Sequence, residues 1–191
     1  NPLCGRNFEY FSEDPYLTGV CACEITKGVQ NDRPVIVCPK HFAANEQETF
    51  RRGNAGKNVD AVDSILTERA LRELYLKPFE MLVKDAGIAC IMTSFNKING
   101  SFSGGSHDLC TQILREEWGF EGAVVTDWGD MDMVVDGADA VAAGNDIVMP
   151  GGPPVIRQIL KGYEEGRVTR EELEQAVRHL LIMIKRIRLA D

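Results

Sequence analysis

The 191-residue sequence predicts an α/β protein built on a parallel sheet, and three observations carry that expectation. Four short apolar runs (PVIVCPKHF, IACIMTSFN, GAVVTDW and NDIVMPGG) are rich in Val or Ile, too short for helices and flanked by turn residues. Their apolar cores are continuous instead of alternating, the pattern of strands buried on both faces. Helical patterns lie between them, and alternation of this kind favours right-handed βαβ units. Two closures fit this order, an open doubly wound sheet or a (β/α)8 barrel. Neither the G-x-G-x-x-G of a dinucleotide fold nor a Walker A loop is present.

Each element has its own signals. Strands are expected at Val35–Pro39, Ile88–Thr93, Ala123–Thr126 and Ile147–Met149. From Val62 to Ala86 the apolar positions Ile65, Leu66, Leu71, Leu74, Tyr75, Phe79, Leu82 and Val83 recur at helical spacing, supported by Glu68–Arg72 and Glu73–Lys77 pairs. Pro78 should kink or divide that helix and Gly87 should end it. Ser106 is a candidate N-cap for a helix reaching Trp118, with Gly119 as its stop. Thr169 to Glu172 reads as a capping box opening the last helix, in which Leu173, Val177, Leu180, Leu181, Ile184 and Ile187 form one apolar stripe. Lys185, Arg186 and Arg188 suit its C-terminal end. Glu48–Asp60 reads as a polar loop.

Composition narrows the function. Hydrophobic residues make up 44% and charged residues 26%, ordinary for a globular domain. A net charge of -8 repels phosphate backbones and anionic lipid, so nucleic acid and membrane are not expected partners. No apolar run approaches the roughly 20 residues of a membrane helix. The chain opens at Asn1-Pro2 without Met, as a trimmed or partial chain would. Its six cysteines show no C-x-x-C and its three histidines are far apart, so neither a metal site nor a cofactor is expected. Cys38 and Cys90 sit in apolar runs and read as small buried hydrophobes. The lack of a disulfide pattern leans weakly towards a reducing, cytoplasmic compartment.

The polar residues fall at strand ends. Lys40 and His41 follow the first run, Ser94, Phe95 and Asn96 the second, Asp127 and Trp128 the third. In a barrel the C-terminal strand ends form the catalytic face. A cation, an imidazole, an aromatic, a carboxylate and an indole on one rim suit an uncharged polyhydroxylated ligand. An Asp there can attack an anomeric carbon, and a nearby cation keeps it ionised. Taken singly, His41 and Trp128 could be core residues and Asp127 a helix cap, with Asp130 the better cap. Their joint position at three strand ends favours the site.

The chain resembles the family 3 glycoside hydrolases of β-glucosidase type, in their barrel domain. The similar stretches are GRNFEYFSEDPYLTG, KHFAANEQE, ERALRELYLKPFE, MTSFNKING, ILREEWGFEGAVVTDWGDM and AGNDIVMPGG, in the family's order. The resemblance implies an incomplete (β/α)8 TIM-barrel-like domain over residues 1–191, lacking N-terminal strands and the second domain that carries the acid/base. It implies Asp127 as nucleophile of a retaining exo-β-glycosidase. Arg6, Lys40 and His41 would bind the sugar, Arg6 also keeping Asp127 ionised, and Trp128 would flank the leaving group. Phe95 stands where the family often has Tyr, and Glu46 where Asn is usual. The K-H-F-P-G-H form of the family's N-acetylhexosaminidases is absent, which favours glucose- or xylose-type substrates.

The expected partner is thus a small glycoside or oligosaccharide, and the isolated chain is expected to show little activity. Two alternatives stand beside this reading. One is a Schiff-base lyase using Lys40. The other is a non-catalytic partial barrel that binds sugar, self-associates or is completed by other segments.

Overall fold

The computed structural model describes residues 2–31, 34–129 and 134–188. A 3-10 turn (Asn7–Glu9) leads to helix α1 (Pro15–Gln30). The sequence analysis assigns no helix ahead of the first apolar run. The missed signal is Asp14-Pro15, where the Asp14 carboxylate accepts from Leu17 N at 2.7 Å and Pro15 sits in the first turn. The apolar residues of α1 are scattered around it, Tyr16, Leu17, Ile25 and Val29 being exposed, so no amphipathic stripe betrays it.

The next helix starts later than expected. Asp63–Ser64 forms strand β1, and Thr67 caps α2 (Glu68–Ala70) by accepting from Ala70 N at 3.2 Å. A π-wound stretch, Leu71–Leu76, then passes into α3 (Lys77–Ala86), which ends at left-handed Gly87. Pro78 lies just past that joint, where its missing N–H and its ring disfavour an unbroken α-helix. Glu68 pairs with Arg72 as expected. Glu73 and Lys77 do not pair with each other: Glu73 takes Arg69 at 3.0 Å and Lys77 takes Glu80 at 3.2 Å.

Two of the four expected strands form a ladder. Strands β2 (Cys90–Met92) and β5 (Ala123–Val125) pair in parallel, Cys90 opposite Ala123. Parallel bridges Phe42–Thr93 and Val125–Ile147 extend the ladder on either side, giving an arc in chain order. Val35–Pro39 is not a regular strand. Prolines 34 and 39 have no N–H to give, Val37 N donates to the Gln30 side chain at 3.1 Å, and the main tie is Met92 N to Pro39 O at 3.1 Å. Ile147–Met149 also stops short of a strand, because Met149 N donates to the Thr126 hydroxyl at 2.9 Å. Between β2 and β5 lies an unexpected hairpin, β3 (Lys97–Ile98) and β4 (Ser101–Phe102), with β1 parallel to β3. Its turn is Asn99-Gly100, both at positive φ, a strong short-range hairpin signal.

Helix α4 (Asp108–Glu117) is π-wound, with Ser106 Oγ accepting from Leu109 N at 3.2 Å and Gly119 at positive φ beyond it. Helices α5 (Gly137–Ala143), α6 (Pro153–Glu164) and α7 (Arg170–Arg188) follow. Asp130, expected as a cap, lies outside the described residues; Asp136 caps α5, accepting from Ala138 N at 2.9 Å. The capping box of α7 is present and reciprocal, Thr169 N to Glu172 at 2.6 Å and Glu172 N to Thr169 Oγ1 at 3.2 Å.

The main core lies between the arc and its helices. Phe42, Leu76, Ile91, Leu114 and Val124 are fully buried, and Phe42 meets Phe79 and Trp118 edge-on at 5.2 and 6.0 Å. The apolar stripe of α7 is only partly covered, with Val177, Leu181 and Ile184 exposed. Where α6 crosses α5, a Cβ on Gly162 would sit 2.1 Å from Ala138 Cβ. Gly162→Ala should gain about 1 kcal/mol of helix propensity and lose about 1–3 kcal/mol to overpacking. A lowered urea midpoint is the expected result; a raised one would mean the crossing relaxes freely.

Candidate active site

Parallel strands carry their C-terminal ends to one side of the arc. Lys40 and His41 stand just past the 35–39 segment, Phe95 past β2, and Asp127 and Trp128 past β5. His41 Nε2 lies 3.4 Å from Asp127 Oδ2, so residues separated by more than eighty positions meet.

Asp127 is 8% exposed. Its Oδ1 accepts from Trp128 N at 2.6 Å, while its Oδ2 is buried and accepts no hydrogen bond. His41 approaches at 3.4 Å without making one. A buried carboxylate oxygen left without a donor costs on the order of 1–3 kcal/mol, so this atom is held in a position that folding alone disfavours. Among the described residues the main-chain donor to Asp127 is its own neighbour, Trp128.

His41 is buried, and its pKa is lowered to about 3, first by burial and then by Lys40, Arg6 and Arg51, with Glu9 opposing. A protonated ring at 3.4 Å would form an ion pair with Asp127, but these influences keep the imidazole neutral and the contact polar. In the unfolded chain His41 protonates near 6.5, and in the folded chain only near 3. Between those values the unfolded state binds the extra proton. Stability should therefore fall as the pH drops from about 6.5 towards 3, and His41 should contribute no slope above that window. Denaturant melts across this range should show a shallower fall for His41→Asn than for the parent; identical slopes would place the titration elsewhere.

The cations form a cluster. Arg6 donates to both oxygens of Glu9, at 3.0 and 2.8 Å, and lies 3.7 Å from Glu48. Its ion pairs are thus with Glu9 and Glu48, and its electrostatic influence falls on His41. The hydrogen bond from Arg6 is the main influence holding the Glu9 carboxyl below its usual range. Lys40 Nζ is 3.9 Å from Glu9, with its side chain 45% exposed. That exposure fits hydrogen bonding to hydroxyls better than Schiff-base chemistry, which calls for a desolvated amine.

Phe95, expected on the rim as a sugar-binding aromatic, is buried. It is 3% exposed, and the guanidinium groups of Arg51 and Arg52 lie over its ring at 4.6 and 5.5 Å. The ring supports these arginines and is screened from a ligand. Trp128, by contrast, is 65% exposed beside Asp127, which rules out a core role. Arg51, Arg52 and Glu48 are not among the site residues expected from the sequence. Their signal is the Arg-Arg pair within the Glu48–Asp60 loop, where Glu48 also accepts from Asn45 at 2.8 Å.

A cleft of about 460 Å³ opens on the Lys40 side. Glu9, Tyr10, Lys40, His41, Tyr75 and Phe79 are among its walls, and Asp127 and Trp128 are not. It ends at His41, with the carboxylate beyond. Among the described residues no group of three or more His, Cys, Asp or Glu side chains is placed to hold a metal.

Comparison with known proteins follows the same lines. The profile described as "Glycosyl hydrolase family 3 N terminal domain" matches residues 1–183. Beta-glucosidase A of Butyrivibrio fibrisolvens is 44% identical over 175 residues, which are 92% of this chain and 19% of that protein. An exo-alpha-(1->6)-L-arabinopyranosidase of Bifidobacterium breve is 43% identical over all of this chain and 23% of its own length. The solved structure of beta-glucosidase 3B from Thermotoga neapolitana in complex with glucose superposes with a TM-score of 0.87 at 40% identity, covering 100% of this chain and 26% of that one. The chain thus spans about a fifth of the length of the curated relatives it matches.

Proposed function

Because the chain belongs to glycosyl hydrolase family 3, through its N-terminal domain, we propose that it carries the sugar-binding and nucleophile half of a retaining exo-β-glycosidase. The observation that carries the proposal is Asp127 Oδ2, buried, without a hydrogen-bond donor and 3.4 Å from a neutral His41. An oxygen in that state is poised to bond to an anomeric carbon. The α/β arc, with parallel segments in chain order, is what part of a (β/α)8 barrel over residues 1–191 would show.

In this reading Asp127 forms the covalent glycosyl ester. Lys40 and His41 hold the sugar hydroxyls, and the exposed Trp128 indole packs on the sugar or its leaving group. Burial, with Lys40 and Arg6, keeps His41 neutral, and Arg6 fixes Glu9. The Arg6 hydrogen bond holds the Glu9 carboxyl below its usual range, and the proton donor is not identified among the described residues. Phe95 acts beneath Arg51 and Arg52 as their support. The substrate is a small glycoside, and the glucose bound in the Thermotoga structure favours a glucoside. The B. breve relative is named for arabinose, a second sugar for the labelling experiment to compare. The exposed apolar residues of α1 and α7 favour a chain that associates, with itself or with further segments.

The test is labelling with a 2-deoxy-2-fluoroglucoside bearing an activated leaving group, whose departure needs little proton donation. Peptide mapping should find the sugar esterified to Asp127. A label on any other carboxylate, with Asp127 free, overturns the assignment.

A further inference from the structure

The segment that precedes Lys40 holds a second reactive pair. Cys38 Sγ and Cys90 Sγ lie 3.1 Å apart, one on the extended 35–39 segment and one on β2. Both are free thiols. From the sequence both are expected as small buried hydrophobes. Cys90 is one, at 9% exposure, but Cys38 is only partly buried and forms part of the cleft wall. One sulfur therefore meets solvent and the other waits behind it, the arrangement of a reacting and a resolving cysteine. Reaching bonding distance requires the sulfurs to close by about 1 Å, and the segment that must move has few main-chain ties.

We propose that Cys38 and Cys90 form an oxidisable dithiol site, at which hydrogen peroxide entering the cleft closes a reversible disulfide. The thiolate of the pair, hydrogen-bonded by the other thiol, attacks one peroxide oxygen and the O–O bond breaks, giving a sulfenic acid and hydroxide. The second sulfur, as thiolate, then attacks the sulfenic sulfur, forming the S–S bond and breaking the S–O bond with loss of a second hydroxide. The two thiol protons neutralise the two hydroxides. Two thiols are oxidised and one peroxide is reduced to two waters. The bond joins residues 52 positions apart and staples the segment two residues ahead of Lys40 to β2.

The experiment treats the chain with hydrogen peroxide, alkylates the remaining thiols, and maps peptides without reductant. A Cys38–Cys90 cross-linked peptide is expected, reversed by dithiothreitol, with a rise of several degrees in thermal midpoint on oxidation. Neither the cross-link nor the rise should occur in Cys38→Ser or Cys90→Ser, while Cys21→Ser should behave as the parent. Peroxide that leaves both thiols alkylatable overturns the proposal. So does conversion of Cys38 to sulfinic acid with Cys90 still free, or a cross-link through any other cysteine. Should a serine variant fail to fold, the parent peptide map decides alone.

Discussion

Asp127→Asn should abolish labelling by the activated fluoroglucoside. In any longer protein that carries this chain and turns over substrate, it should lower kcat by at least about 10³-fold, because an amide is no substitute for a carboxylate nucleophile. The same change should leave the fold intact or slightly firmer. Oδ2 is buried with no donor, so removing its charge relieves a desolvation cost instead of breaking a bond. The amide keeps an oxygen for Trp128 N, now 2.6 Å from Oδ1. Thermal melting alongside labelling separates the two effects. A lost label with an unchanged or raised midpoint supports a nucleophile, whereas a large fall in the midpoint would make Asp127 a structural residue.

Asp146→Ala should have the opposite signature, a loss of stability of about 3–5 kcal/mol. The Asp146 side chain is almost fully buried and ties three elements. Its Oδ2 accepts from Arg115 at 2.7 Å and from Val124 N of β5 at 2.7 Å, and its Oδ1 lies 2.8 Å from His179 Nδ1 on α7. Arg115 also donates to the carbonyls of Gly122 and Gly144, both at 3.0 Å. Removing the carboxylate leaves a buried guanidinium without its counter-charge, which is why the expected loss exceeds that of an exposed pair. Urea denaturation measures it. A companion Arg115→Met on the Ala background should recover part of the loss, since the second change removes the stranded charge; no recovery would mean the tie to β5 dominates.

The parts of the fold that could be read from residues are those set by neighbouring positions. Continuous apolar runs located β2 and β5, Thr169–Glu172 opened α7, and Gly87 and Gly119 ended their helices. The 35–39 segment read as a strand because its side chains are apolar, but strand geometry also needs N–H donors, which its prolines lack. Helix α1 went unread because its apolar residues do not share a face. The Asn99-Gly100 turn is legible as a hairpin signal in the sequence. At the site, positions at strand ends correctly brought His41 to Asp127. Side-chain orientation was not legible: nothing in the sequence says that Phe95 lies under two arginines or that Arg6 turns to Glu9. Those outcomes depend on loop packing between residues 48 and 60.

The parallel pairing in the arc has a kinetic consequence. Cys90 meets Ala123, and Phe42 meets Thr93, at separations of 33 and 51 positions respectively. Each such contact closes a long loop before any ladder bond repays the lost chain entropy. Among the described strand ladders, the small β3–β4 hairpin alone closes a short loop. Refolding should therefore be slow for a chain so rich in helix, its rate set by the encounter of distant segments and not by the winding of α1 or α7.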